Sequence, residues 1–248
     1  MDPLPYNITL SSQTATIFYF PSREGPIETG WNTTYSSGGK EVGPGTLLEG
    51  IGVAYHRTTH PGATLEFEWV GTAVYLYGKA NAGSYNLSVD GKSIESPSDD
   101  VPLGALLGFK ANLEYGSHTV KLMVLGGAEV VFQNAEVTIG IGYIGQASAF
   151  ILWGAVNYDH SSKRAMITWD GGQKDTRLND ISDYLDFQQI IYWEGGLDRD
   201  KNYTVQIFNE VDAHRRIDLT ADTRWPAFGF SRLELIDGCV VAMIAIGP

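Results

Sequence analysis

The amino-acid sequence predicts an all-β protein made of two tandem antiparallel β-sandwich domains, residues 1–146 and 147–248, packed closely together. Three observations lead there: a meander, its recurrence, and the composition. Residues 64–92, TLEFEWVGTAVYLYGKANAGSYNLSVDGK, read as three successive strands with their turns. Leu65, Phe67 and Trp69 alternate with Glu66, Glu68 and Val70, the period-two pattern that buries one face of an antiparallel strand. Gly71 ends that run. Residues 73–77 form a second β-branched and aromatic run closed by Gly78. Residues 85–89 form a third, ending in Asp90-Gly91, a dipeptide that accepts the positive φ of a tight hairpin turn.

The meander recurs downstream in the same order. AFILWG at residues 149–154 answers AVYLYG at 73–78, and AMITWDG at 165–171 answers YNLSVDG at 85–91. LEYGSHTVKL at 113–122 returns, one residue longer, as LDRDKNYTVQI at 197–207. Three landmarks in one order imply an internal duplication with a repeat far longer than solenoid periods. The chain of 248 residues is long enough for two domains, and 43% hydrophobic content can fill two cores. Only 19% of residues are charged, whereas Gly (29), Tyr (13) and Trp (6) are plentiful. That composition suits short strands and turns, so helix is expected to be scarce. A net charge of −12 disfavours nucleic acid and anionic membrane surfaces, which require basic patches.

Taken in order, residues 8–20 form one or two strands around a Ser-Ser-Gln turn. Residues 21–52 read as a Gly-, Pro-, Ser- and Thr-rich loop carrying Trp31 and Tyr35, which either fold back onto the sandwich or line a ligand site. Residues 53–58 are a short strand leading into the His60-Pro61-Gly62 turn. A polar loop is expected over residues 93–107, then strands over 109–113, 119–125 and 130–142. Only Gly145-Gln146 separates the repeats, too little for a flexible linker, so the two domains are expected to share an interface. Residues 181–187 are read as one short helix, and residues 212–226 as a charged loop. Residues 239–246 are too few for a membrane helix, which needs about 20, and read as a final buried strand. Because the second repeat lacks a counterpart of residues 8–58, the terminal run over 228–246 or the connecting strand is expected to complete its sheets.

Four sequons, at Asn7, Asn32, Asn86 and Asn202, point to glycosylation in the secretory pathway and an extracellular location. Residues 1–3 carry no cationic and apolar leader, so a secreted form is expected to have lost its signal peptide. Cys239 is the sole cysteine, which rules out an intrachain disulfide, and it reads as an apolar filler. His56 and His60 lie on a strand and its turn, where a four-residue spacing does not make a metal pair. His118, His160 and His214 fall on expected turns, so no metal is assigned.

The run from Gly71 to Gly78, the following Tyr85-to-Gly91 stretch, Trp31 and the His60-Pro61-Gly62-Ala63 turn together resemble the tandem galactose-binding-like β-sandwich repeats of fungal secreted and cell-surface proteins. The resemblance covers most of the chain and implies a jelly-roll-like sandwich fold. More weakly, the chain resembles the fungal hetero-Diels–Alderases of tropolonic sesquiterpene biosynthesis, with no catalytic motif matched residue by residue.

No Gly-x-Ser-x-Gly elbow, Cys-His arrangement, phosphate loop or metal-ligand spacing is present, so no cofactor is expected. Two readings remain. In the first, the protein is a pericyclase without a cofactor, joining a terpenoid alkene to a reactive diene in an aromatic pocket near the domain interface. Positioning alone can contribute about 7–11 kcal/mol to such a reaction. Candidate pocket walls are Trp31, Tyr55, Trp153, Trp193, Trp225 and Phe228, and candidate catalytic proton donors or acceptors are His56, Arg224 and Tyr158. In the second, the protein is a secreted carbohydrate-binding module in which aromatics stack on sugar faces while polar side chains hold hydroxyls. An adhesion ectodomain without a small ligand is a third class. An enclosed apolar cavity between the domains favours the first reading, and a shallow groove favours the second.

Overall fold

A computed structural model describes residues 6–42, 48–139, 148–157, 163–169, 171–197, 203–209, 216–221 and 242–246. The described residues contain strands and turns and no helix. The alternating pattern is realised directly: along Thr64–Gly71, Leu65, Phe67 and Trp69 are buried while Glu66 and Glu68 point outward.

Residues 6–139 supply thirteen strands: β1 (Tyr6–Ser11), β2 (Phe18–Phe20), β3 (Asn32–Tyr35), β4 (Gly39–Glu41), β5 (Leu48–Gly50), β6 (Ala54–Thr58), β7 (Thr64–Gly71), β8 (Ala73–Ala80), β9 (Tyr85–Val89), β10 (Lys92–Ile94), β11 (Val101–Lys110), β12 (Gly116–Val124) and β13 (Val130–Ile139). Among the described residues beyond 139 seven further strands follow: β14 (Ser148–Val156), β15 (Lys163–Trp169), β16 (Gly172–Leu178), β17 (Tyr184–Leu197), β18 (Tyr203–Asn209), β19 (Arg216–Ala221) and β20 (Ala242–Ile246). One sheet has the order β11-β8-β13-β6-β3 with β1 on β13, and the facing sheet has the order β10-β9-β12-β7-β2. Trp31, Phe67, Trp69, Leu76, Leu122 and Phe132 fill the sandwich-like core between them. A second core, with Leu152, Ile167, Tyr192 and Val205, lies between the sheets β20-β14-β17-β5-β4 and β16-β15-β18-β19.

The duplication read from the sequence reappears in the pairing. β8 lies between β11 and β13, and β14 lies between β17 and β20. β9 pairs with β10 and β12, just as β15 pairs with β16 and β18. The first hairpin turns through Asp90 (φ 51°) and Gly91 (φ 71°), and the second through Gly171 (φ 91°). Such positive φ values suit the right-handed twist of paired strands. The place beside β12 that β7 fills from upstream is filled beside β18 by β19 from downstream. Residues 242–246 do complete the second set of sheets, as β20 on β14. A different element extends it further: β5 pairs in parallel with β17 and carries β4 with it, so residues 39–41 and 48–50 join a sheet of the second half.

Several local expectations change. Residues 21–52 are not a plain loop, because they hold β3, paired with β6, and β5, paired with the distant β17, with β4 added beside β5. Residues 184–187, read as part of a short helix, begin the long strand β17, drawn out by pairing with β14 and β5. Residues 101–107 belong to β11, whose register on β8 shifts twice, between Val101 and Ala105 and between Leu106 and Gly108. Gly78 is required there, since a Cβ would sit 1.9 Å from the Val131 carbonyl oxygen. His118 lies on β12, with its Nδ1 2.8 Å from Asp90 Oδ2, rather than on a turn. Within the expected charged loop over 212–226, residues 216–221 are instead strand β19, drawn out by pairing with β18. The boundary at residues 146/147, Cys239, His160, His214, the other residues of that loop and Asn202 lie outside the described residues.

Candidate functional site

The outer face of the β10-β9-β12-β7-β2 sheet does not face solvent everywhere. β16 and β17 stand across its β7–β2 end and leave an open cleft of about 790 Å³. One wall is set by strand alternation: Tyr19 turns into the core, so Phe18 and Phe20 on either side of it must turn outward. They are 39% and 65% exposed, high values for phenylalanine. Glu66, opposite Phe18 in register, and Lys121, opposite Glu66, share that face. The other wall carries Lys174 on β16 and Tyr192, Trp193 and Glu194 on β17.

Four charged groups of the cleft, Glu66, Lys121, Lys174 and Glu194, are paired before any ligand arrives. Lys121 Nζ lies 3.1 Å from Glu66 Oε2. Lys174 Nζ donates to both Glu194 oxygens, at 3.0 and 2.9 Å, and Tyr192 Oη donates to Glu194 Oε2 at 2.7 Å. Burial, followed by the Glu194 charge, pushes the Tyr192 phenol above its ordinary range, so it stays a donor. Carboxylates that accept, an ammonium that donates and flat apolar rings therefore converge on one open space. That combination suits a ligand with an apolar face and hydroxyls at its edge.

Behind the Tyr19 ring lies a buried polar cluster. His56 is fully buried on β6, with its ring stacked on Tyr19 at 4.1 Å between centroids and 14° between planes. Thr33 Oγ1 donates to Glu24 Oε1 (2.6 Å) and lies 2.9 Å from His56 Nε2. With the hydroxyl proton so used, Nε2–H is the donor to Thr33, and His56 Nδ1 is a buried acceptor without a partner. Burial, and secondarily Arg23, holds the imidazole pKa well below its ordinary value, so the ring is neutral. Burial pushes Glu24 up to about 7 against the opposing effects of Thr33 and Arg23.

Arg23 joins this cluster to the second half of the chain. Its Nη1 donates to the Asn179 carbonyl (2.6 Å), and its Nη2 donates to Gln13 O (2.8 Å) and Gln13 Oε1 (2.5 Å). Gln13 Nε2 continues to Ser182 Oγ (2.8 Å), and Tyr35 Oη donates to Asp186 Oδ2 (2.8 Å). Backbone bonds Ala15 N→Ile190 O and Asn179 N→Ala15 O, 2.9 and 2.8 Å long, complete the seam.

Among the residues named from sequence, Trp193 lines the cleft. Trp31 is wholly buried, its Nε1 donating to Phe20 O (3.2 Å) and Thr64 O (3.1 Å), so the aromatic pair of residues 31 and 35 folds back rather than opening outward. His56 is separated from the cleft by Tyr19 and cannot touch a ligand there. Tyr55 is half-buried on β6, and Trp153 on β14 packs against the first core. Arg224, Tyr158, Trp225 and Phe228 lie outside the described residues. Three sequon asparagines are on strands: Asn7 and Asn86 exposed, Asn32 half-buried. Sequence reasoning missed Phe18, Phe20, Lys121, Lys174 and Glu194. The signal for the first two was present, since Phe18-Tyr19-Phe20 places aromatics on both faces of one strand and only one face can meet the core.

Fold and site together define an all-β, sandwich-like chain with an open, charged and aromatic cleft. No family model and no curated protein sequence matches it. Among solved structures, it is similar to a multidomain structure of Extended-Synaptotagmin 2 (9% identity, 71% of this chain and 56% of that one, TM-score 0.29). It is also similar to a Paenibacillus xanthan lyase (11% identity, 88% of this chain and 26% of that one, TM-score 0.27). A third is the adhesin domain of Epf from Streptococcus pyogenes (12% identity, 88% and 97%, TM-score 0.17). The chain thus spans 56% of the first and 26% of the lyase, and at these TM-scores none of the three bears on its function.

Proposed function

We propose that this chain is a secreted carbohydrate-binding module of tandem galactose-binding-like β-sandwiches, and that a neutral saccharide binds in the cleft between its halves. The observation that carries the reading is the pairing of exposed Phe18 and Phe20 with the pre-positioned Lys121–Glu66 and Lys174–Glu194 pairs in one open space. Sugar C–H faces stack on the rings, and carboxylate and ammonium groups take the hydroxyls. The cleft contains both charge signs, which favours an uncharged polyol over an ionic ligand.

The test is a glycan array followed by titration calorimetry with the best oligosaccharide. Phe20→Ala should weaken binding about tenfold or more, the loss expected when an aromatic anchor is truncated. Because Phe20 is 65% exposed, the variant should unfold at nearly the parent's temperature. An array without hits, or parental affinity in Phe20→Ala, would reject the reading.

A second reading, cofactor-free hetero-Diels–Alder cycloaddition of a terpenoid alkene, draws on one feature: the cleft lies between the two repeats and includes Trp193. Incubation of the purified chain with a macrocyclic terpene alkene and a reactive-diene precursor decides it. Adduct yield and isomer ratio should exceed the boiled control if this reading holds, and equal it if the chain only binds sugar.

A further inference from the structure

We infer that an N-linked glycan on Asn7 lies across the stacked aromatic rings of Tyr75 and Phe109. The inference concerns a face remote from the cleft and is independent of what the cleft binds. Strand register places the partners. Thr9 on β1 opposes Glu136 on β13, Glu136 opposes Tyr75 on β8, and Tyr75 opposes Phe109 on β11. Directly opposed residues of an antiparallel pair share a face, so these four form one row across four strands. Asn7, two residues before Thr9 and opposite Thr138, lies on the same face in the next row. Both sequon residues, Asn7 and Thr9, are exposed.

On this face the Phe109 ring is exposed and the Tyr75 ring is half-buried. Tyr75 and Phe109 stack in parallel, 5.6 Å between centroids and 4° between planes, and Phe109 is 50% exposed. The Asn7 side chain is laid along the sheet toward them rather than away. Thr138 Oγ1 donates to Asn7 Oδ1 at 2.8 Å, and Asn7 Nδ2 donates to Glu136 Oε1, the residue that opposes Tyr75. Glycosylation replaces one hydrogen of that amide and leaves the other to hold Glu136, so the tether survives and sets the direction in which the sugar leaves.

Two strands across and two residues along put Asn7 about 12 Å from Tyr75, within reach of the two N-acetylglucosamine rings that begin an N-linked glycan. Their C–H faces match an aromatic stack. The other exposed sequon among the described residues offers no such platform: Asn86 on β9 opposes Met123.

The chain is expressed with a signal peptide in yeast, and Asn7 occupancy is read by peptide mass spectrometry. Thr9→Ala removes the sequon without altering Asn7, and Thr9→Ser keeps it. Thr9→Ala should lower Tm by about 2–4 °C, the shift that one kcal/mol produces in a chain of this size, and Thr9→Ser should not. In a Tyr75→Ser/Phe109→Ser background, or with Phe109→Ser alone if the double variant does not fold, the same Thr9→Ala change should cost under about 1 °C. An unoccupied Asn7 in the secreted protein overturns the proposal. So does an equal Tm loss in both backgrounds, which would mean that the glycan does not rest on the rings.

Discussion

Replacing Arg23 with leucine should lower the unfolding free energy by about 3–5 kcal/mol, the range for removing one member of a buried charged network. Arg23 is 5% exposed and holds one carbonyl of the second half and two oxygens of Gln13. The leucine side chain fills part of the volume but strands those acceptors, each costing about 1–3 kcal/mol when buried without a donor. It also leaves Glu24 without its nearby cation. Arg23→Lys should recover less than half of the loss, because a single ammonium cannot reproduce the two-pronged geometry that reaches Asn179 and Gln13 together. Equilibrium guanidinium unfolding measures both. A leucine variant within about 1 kcal/mol of the parent would show that the seam between residues 11–35 and 179–190 does not depend on this side chain.

The contribution of Glu24 to stability should fall as pH rises from about 4.5 to about 7, and it is read as the difference between the parent and Glu24→Gln, because the buried neutral His56, present in both, acts oppositely below its ordinary 6.5. Burial lifts its pKa from the ordinary 4.5 to about 7. The folded chain therefore holds this proton more tightly than the unfolded chain. The associated stability is fully present below about pH 4.5, declines between there and about 7, and is absent above. At 1.36 kcal/mol per pH unit the difference is about 3 kcal/mol. Glu24→Gln keeps an acceptor for Thr33 and removes the titration. It should match the parent near pH 4.5 and exceed it by roughly 3 kcal/mol at pH 8. The groups facing Glu24 are Arg23 and Thr33, the neutral His56, and Asp183, whose charge adds to the upward push. Parallel stability–pH curves for the two proteins would assign the effect elsewhere.

These two residues were not singled out by sequence reasoning, and the reason is general. Arg23 and Glu24 sit in a polar stretch, Ser22-Arg23-Glu24-Gly25, that looks like a solvated turn. Their burial depends on residues 179–186 arriving from the other end of the chain. His56 shows the converse: a lone histidine on a strand was legible as a candidate base, but only packing revealed Tyr19 between it and the open cleft.

What the sequence determined by itself is what local rules govern. Strand identity follows from period-two alternation, the Asp90-Gly91 turn from its tolerance of positive φ, and the repeated landmarks from a shared order of strands, which the pairing of β9 with β10 and β12 and of β15 with β16 and β18 repeats. Alternation states which side chains share a face; it does not state what covers that face. That Trp31 is interior while Phe20 is exposed, that β4 and β5 extend a sheet of the other half, and that Lys174 and Lys121 line one cleft were decided by contacts between segments far apart in sequence. Tertiary structure alone brings such segments together, because burial is a property of the assembled surfaces rather than of any single strand.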